Sequence, residues 1–321
     1  MLAAYAARIN ADDPLSGLEI GQRPEPEERD GWTTVTVKAA SLNHHDIWSL
    51  KGVGLPEDRL PMILGCDAAG LDPEGNEVIV HSVVSSPDWR GDETFDPRRS
   101  ILSERHQGSF AEQVAVPTRN LVPKPKDLSF EEAACLPTAW LTAYRMLFTR
   151  GDVKPGSTIL VQGAGGGVST ALIVLAHAAG IRTWVTSRDE AKRAKALELG
   201  ADQAFEPSSR LPERVDAVLE TVGAATWSHS LKSLKPGGTL IVSGATSGQD
   251  PPADLNRVFF LQLSVVGSTM GTRDELERLA RLCAERAIKP TIDATYRLRD
   301  ARDALARLNA GDVFGKLVLT G

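Results

Sequence analysis

Residues 158–169, Thr158-Ile-Leu-Val-Gln-Gly-Ala-Gly-Gly-Gly-Val-Ser169, decide the fold. The opening apolar run to Gln162 is rich in β-branched residues and follows Lys154-Pro-Gly-Ser157, which predicts a buried parallel strand. A glycine-rich turn follows, and then an Ala/Leu/Val-rich stretch over 170–179, stopped by Gly180, predicts a helix. A second strand is predicted over 181–186 and a charged helix over 189–199, closed by Gly200. Strand, glycine turn, helix, strand is a βαβ unit of the dinucleotide-binding kind.

The turn has a specific physical use. A pyrophosphate lies against the first turn of such a helix, where unpaired N–H groups and the positive end of the dipole meet it. Any Cβ in the way would hold it off, so the nearest residues must be small. Ala164, Gly165, Gly166, Gly167, Val168 and Ser169 are the residues placed there.

Outward from this unit, 321 residues are enough for two domains and a sizeable core. The chain is 42% hydrophobic and 24% charged, the balance of a soluble globular protein. A net charge of −6 offers no basic field for nucleic acid. No apolar run reaches membrane-spanning length, and the N-terminus lacks the pattern of a signal peptide. Cysteine is scarce and scattered (Cys66, Cys135, Cys283), which suits reduced thiols in a cytoplasm.

The first third reads as β-rich. Residues 31–40 alternate as a half-buried strand does, and 77–81 and 111–116 are further short strands between turn signals. Residues 85–108 form a polar insertion without cysteine and are expected to be a surface loop. The pattern turns helical over 130–150. After Gly200, strands are expected over 202–205, 215–219, 239–243 and 263–267, with a helix over 227–234. With the two before them they make six strands, the complement of a doubly wound sheet. Helices over 274–286 and 299–310 and strands over 294–297 and 316–320 complete the chain.

These features carry a resemblance that spans the whole chain. Ser41-Leu-Asn-His-His-Asp46, Pro61-Met-Ile-Leu-Gly-Cys-Asp67, Gly108-Ser-Phe-Ala-Glu-Gln113, Leu141-Thr-Ala-Tyr144, Glu198-Leu-Gly-Ala-Asp202 and Gly315-Lys-Leu-Val318 resemble the medium-chain dehydrogenase/reductase superfamily. The resemblance implies an α/β fold: a Rossmann doubly wound parallel sheet plus a GroES-like β-barrel domain, with the substrate cleft between them. Expected boundaries are 1–122 for the GroES-like catalytic domain, 123–268 for the Rossmann domain and 269–321 for a C-terminal return that completes the first. The family often pairs its Rossmann sheets edge to edge through the sixth strand, so a homodimer is implied.

Zinc alcohol dehydrogenases of this family bind their catalytic metal through positions held here by Asn43, Cys66 and Thr138. An amide, one thiol and a hydroxyl make a poor set for zinc, so no metal is expected. Regrouping of His44, His45, Cys66 and Asp67 around an ion is the competing arrangement. Without a Lewis acid the chain is similar to the zinc-independent quinone oxidoreductase and enone (or enoyl) reductase branch. That branch moves a hydride from NADPH to a quinone or an activated C=C, and the enolate or phenolate formed needs hydrogen bonds and a proton. The resemblance puts Asn43 and His45 at the nicotinamide pocket. Asn43 is then an amide donor to an oxyanion, and His45 either relays a proton or is structural. Asp46 is expected to support the barrel, and Cys66 to be a buried small hydrophobe. Thr142, Ser243, Gly244, Ala245, Val266, Gly267 and Ser268 match positions around the cofactor. Lys316 matches a basic position near the pyrophosphate, or else is a solvated strand-end lysine. In the turn, Ser169 replaces the usual third glycine.

The choice of dinucleotide is read at the end of the second strand. NAD-preferring enzymes place a carboxylate there for the ribose 2′-OH. This chain has Ser187, then Arg188, with Lys192 a helical turn on, a set that favours a 2′-phosphate and hence NADPH. Asp189 is assigned to the helix cap. The alternatives are an alcohol dehydrogenase with an atypical zinc site and an NADPH-binding protein without turnover. The substrate, a small molecule, is not specified further by the sequence.

Overall fold

The computed structural model describes residues 1–321, which divide into two compact units: Met1–Leu141 with Met270–Gly321, and Thr142–Thr269. The division falls at 141/142 rather than 122/123. The stretch Phe130–Ala134 explains this, because it packs on the strands Trp32–Ser41 and Ala68–Leu71 of the first unit. Ser129 caps it, accepting the Glu132 N–H at 3.1 Å.

In the second unit the six strands are Thr158–Val161, Arg182–Thr186, Gln203–Phe205, Val215–Glu220, Leu234–Val242 and Ser264–Gly267. All pair in parallel, in the spatial order third, second, first, fourth, fifth, sixth. This is the doubly wound sheet expected, and ligands of such sheets lie beyond the carboxyl ends of the strands. Its core gathers Leu160, Trp184, Val218, Leu231 and Leu240, all essentially inaccessible. Helices Gly167–Ala178, Glu190–Glu198 and Ala224–Ser233 follow the first, second and fourth strands.

The first unit is built on an open barrel-like sheet. Trp32–Ser41 pairs with Ala68–Leu71, with Gln113–Pro117 and with the last strand, Lys316–Thr320. Ile292–Arg297 adds in parallel beyond that strand, so the C-terminal segment completes the N-terminal sheet. No helix is long and apolar enough to cross a membrane.

The structure adds one element that the sequence did not show and corrects one expectation. Residues 44–50, read only as part of a motif, form a helix, His44–Leu50. The insertion over 85–108 is more than a surface loop. Ser100–Ile101 pairs with Val83–Val84, and Leu102, Asp96 and Ser103 are wholly buried. Its polar sequence hides this because Asp96 buries its charge on backbone donors, accepting the N–H groups of Ser86 at 2.6 Å and Arg98 at 2.8 Å.

Candidate functional site

In the first unit, Asn43 starts the helix His44–Leu50, and Asp46 one turn on is fully buried. The Asp46 carboxylate accepts the Asn43 N–H at 2.7 Å and the Gly65 N–H at 3.2 Å, tying helix to turn. Gly65 has a φ of +90°, and a Cβ there would come within 2.3 Å of Phe110, so only glycine brings that N–H in. Burial pushes the Asp46 carboxyl up to about 6.

Behind the helix lies a polar centre. Asp67, wholly buried, accepts from Ser41 Oγ at 2.8 Å, Asn43 Nδ2 at 2.8 Å, Thr138 Oγ1 at 2.5 Å and Ser82 Oγ at 3.3 Å. Cys66 Sγ lies 3.5 Å from Asn43 Nδ2 and 3.4 Å from Thr138 Oγ1. Asn43, Cys66 and Thr138, far apart in sequence, therefore do converge. Burial and the Asp67 and Asp46 carboxylates push the Cys66 thiol well above its ordinary range, so it is not merely a small hydrophobe but an un-ionised thiol among polar groups.

Two sequence assignments are corrected here. Asn43 is not an open donor: Oδ1 accepts from Lys316, and Nδ2 is spent on Asp67, with its remaining neighbours Ser41 O and Cys66 Sγ. Lys316 is neither solvated nor disposed toward a phosphate. It is 3% exposed, and Nζ donates to Leu42 O at 2.5 Å and Asn43 Oδ1 at 2.6 Å.

His45 looks out from this centre. Nε2 donates to Glu104 Oε1 at 3.2 Å, while Nδ1 is buried without a partner. Burial alone would lower the imidazole pKa, but the bond to Glu104 and the charges of Asp46, Glu104 and Asp67 outweigh it and raise it. The side chain keeps 17% of its surface accessible, at atoms other than Nδ1. Glu104 comes from the insertion over 85–108 and also accepts the Ile101 N–H at 3.0 Å. No sequence signal marked it, since its partner lies 59 residues away.

The second unit brings together its own residues at the carboxyl end of the sheet. Gly166 precedes the helix Gly167–Ala178, whose N-terminus has no side-chain cap, leaving its first N–H groups for a ligand. Gly163 and Gly165 take φ values of +83° and +128° to form the turn. Ser169 packs inside it: Oγ accepts the Gly165 N–H at 3.2 Å and donates to Gly166 O at 3.0 Å. A serine at the third glycine's position thus braces the turn instead of holding the helix away. Ala164 is buried and Val168 half-buried.

Ser187 and Arg188 end the second strand. Ser187 Oγ accepts the Asp189 N–H at 3.2 Å, and Arg188 is exposed. Asp189 caps the next helix through the Lys192 N–H at 3.2 Å. Ser243, Gly244 and Ala245 follow the fifth strand, where Ser243 N–H donates to Glu220 O at 2.9 Å. Val266 and Gly267 end the sixth, and Ser268 N–H donates to Val242 O at 2.9 Å, setting these two loops side by side. Ser268 Oγ is buried without a partner. Thr142, mostly buried, opens this unit.

Comparison with known proteins matches both units. Residues 29–126 match the family model of the alcohol dehydrogenase GroES-like domain, and residues 167–285 that of zinc-binding dehydrogenases. A zinc-type alcohol dehydrogenase-like protein, YogA of Leptosphaeria maculans, is 30% identical, covering 94% of this chain and 93% of its own. Acryloyl-coenzyme A reductase of Sulfurisphaera tokodaii is 28% identical, covering 95% of this chain and 97% of its own. The crystal structure of an NAD-dependent alcohol dehydrogenase superposes with a TM-score of 0.93 at 34% identity, covering 100% of each chain.

Proposed function

We propose a reaction for a chain that belongs to the medium-chain dehydrogenase/reductase superfamily: NADPH-dependent, zinc-independent reduction of an activated C=C, in an enone or enoyl thioester, or of a quinone. The observation that carries this is the His45–Glu104 pair beside a polar centre that already holds a cation, Lys316. Acryloyl-coenzyme A reductase supports the same chemistry by likeness.

Zinc, which the name of one family model implies, fits these residues poorly. The nearest set of ligand atoms, one each from His45, Asp46 and Cys66, lies within 4.8 Å. But Asp46 is committed to backbone N–H groups, and two of the positions around Cys66 are an amide and a hydroxyl, Asn43 and Thr138, both bonded to Asp67. A metal wants deprotonated donors that are free to turn toward it.

NADPH, when bound, supplies the hydride. The uncapped helix at Gly167 would meet its pyrophosphate, and Arg188 with Ser187 its 2′-phosphate. Hydride addition leaves negative charge on the acceptor oxygen, and a proton must follow. His45, whose pKa is raised by Glu104 and the nearby carboxylates, is the group that would carry that proton, and Glu104 keeps the ring oriented and stabilises its cation.

Pairing with a second copy is supported by the sixth strand, an edge of its sheet, where Val265 is 48% exposed, and by the exposed, mutually stacked rings of Phe259 and Phe260 in the preceding helix. The three cysteines, buried and unpaired, support a reducing compartment such as the cytoplasm.

The test is dinucleotide consumption with enoyl thioesters, enones, quinones and, in the reverse direction, alcohols. The expected result is NADPH-driven reduction of an activated alkene or quinone. NADPH should be preferred over NADH at least tenfold in kcat/KM, or about 1.4 kcal/mol. Ser187→Asp with Arg188→Ile should erase that preference. Turnover of alcohols alone would favour the reading suggested by the alcohol dehydrogenase neighbour, no turnover would leave a dinucleotide-binding protein, and equal use of NADH would contradict the cofactor assignment.

A further inference from the structure

Lys316 opens the strand Lys316–Thr320, a place where a lysine normally turns its ammonium to water. Here it runs inward, and an isolated ammonium so deeply buried is strongly disfavoured unless its surroundings compensate it. They do so on every side: Leu42 O and Asn43 Oδ1 accept from Nζ, and Asp67 Oδ2 stands 3.7 Å away. Asp67 is itself fully buried and takes donors from four side chains, one of them the Asn43 amide that Lys316 holds from its other end. Ammonium, carboxamide and carboxylate thus form a chain in which each fixes the next. The carboxamide cannot flip, since its oxygen would then face Asp67 and its nitrogen Lys316.

This cation sits among Asn43, Cys66, Thr138 and Asp67. We propose that Lys316 is the fixed cation of this centre, carrying the positive charge that a metal would otherwise bring there, neutralising Asp67 and setting the Asn43 carboxamide. It is a positioning residue, acting through Asn43 and Asp67. The proposal deepens the zinc-independent reading above, but its tests below do not measure turnover, so the reaction and the charge pairing can fail separately.

The test is a double-mutant cycle on folding equilibrium by urea unfolding. Lys316→Met should lower the folding constant at least tenfold by stranding Asp67, and Lys316→Met with Asp67→Asn should recover most of that loss, because the Asn43 amide can then turn and the hydroxyls of Ser41, Ser82 and Thr138 can rotate. Lys316→Arg should keep more stability than Lys316→Met. A Lys316→Met protein as stable as the wild type, or a double variant no better than Lys316→Met alone, would overturn the charge pairing. If Lys316→Met does not fold, the double variant and Lys316→Arg still decide: recovery of a folded chain in either supports the proposal, and failure of both refutes it. As an independent measurement, the wild type is dialysed against Co(II). Uptake well below one ion per chain is expected, and stoichiometric tight uptake would overturn the assignment of Lys316 as the centre's cation.

Discussion

The polar centre of the first unit and the glycine turn of the second are both assembled from short motifs, but they end in opposite states. The centre is closed: Asp67, Asn43, Thr138 and Lys316 satisfy one another, and what it presents outward is His45 on Glu104. The turn is open: its helix has no side-chain cap, and Arg188 stands exposed at the strand end. A closed polar network specifies geometry and charge, whereas an open set of donors specifies a ligand. On the proposed reading, the open turn would hold the dinucleotide and the closed centre would fix the acid–base group.

The sharpest way to break this contrast is at His45. Replacing it by alanine should lower turnover of an enone or quinone roughly ten- to a thousandfold, the range for a lost proton donor. NADPH affinity, measured by fluorescence titration, should stay within about twofold if the open turn alone holds the dinucleotide. A variant with unchanged turnover at every pH would return His45 to a structural role.

The closed interior of the first unit should also show itself in acid. His81 is buried, bonded through Nε2 to Gly271 O at 2.9 Å, and burial lowers its pKa to about 4 from 6.5. The unfolded chain therefore binds the extra proton between these values. Stability from this group is complete above pH 6.5 and falls by about 3 kcal/mol as pH drops to 4. Asp46 acts in the opposite sense, because its folded pKa of about 6 exceeds the ordinary 3.8, so the folded state gains by protonation as pH falls through 6. The two oppose each other between pH 6 and 4. His81→Gln removes one of them, so the stability difference between wild type and variant should shrink by about 3 kcal/mol from pH 6.5 to 4, read by urea unfolding. A difference independent of pH would contradict it.

The contrast also explains how much could be read from sequence. The open turn was legible because its residues obey local rules: the helix predicted over 170–179 is Gly167–Ala178, and the second strand predicted over 181–186 is Arg182–Thr186. Ser187 and Arg188 directly follow the second strand, and Asp189 caps the next helix, the local order that the count back from Gly200 along that helix used. The closed centre was legible only in part. Asn43, Cys66 and Thr138 do meet, but which groups their polar atoms satisfy depends on contacts as distant as the 273 residues between Asn43 and Lys316. Lysine at a strand end reads as exposed by any compositional rule, and nothing local signals the reverse. The helix His44–Leu50 escaped notice because its seven residues are too few to show a period. Glu104 escaped because a polar insertion looks the same whether its carboxylates face water or a histidine.

The central claim is that the closed centre works with its own ammonium and no metal. The most direct measurement is NADPH-driven turnover by the purified chain before and after exhaustive treatment with a metal chelator, with zinc determined by elemental analysis on the same samples. The account predicts well under one zinc per chain and a rate that chelation leaves unchanged. Stoichiometric zinc whose removal abolishes turnover, and whose return restores it, would contradict the account.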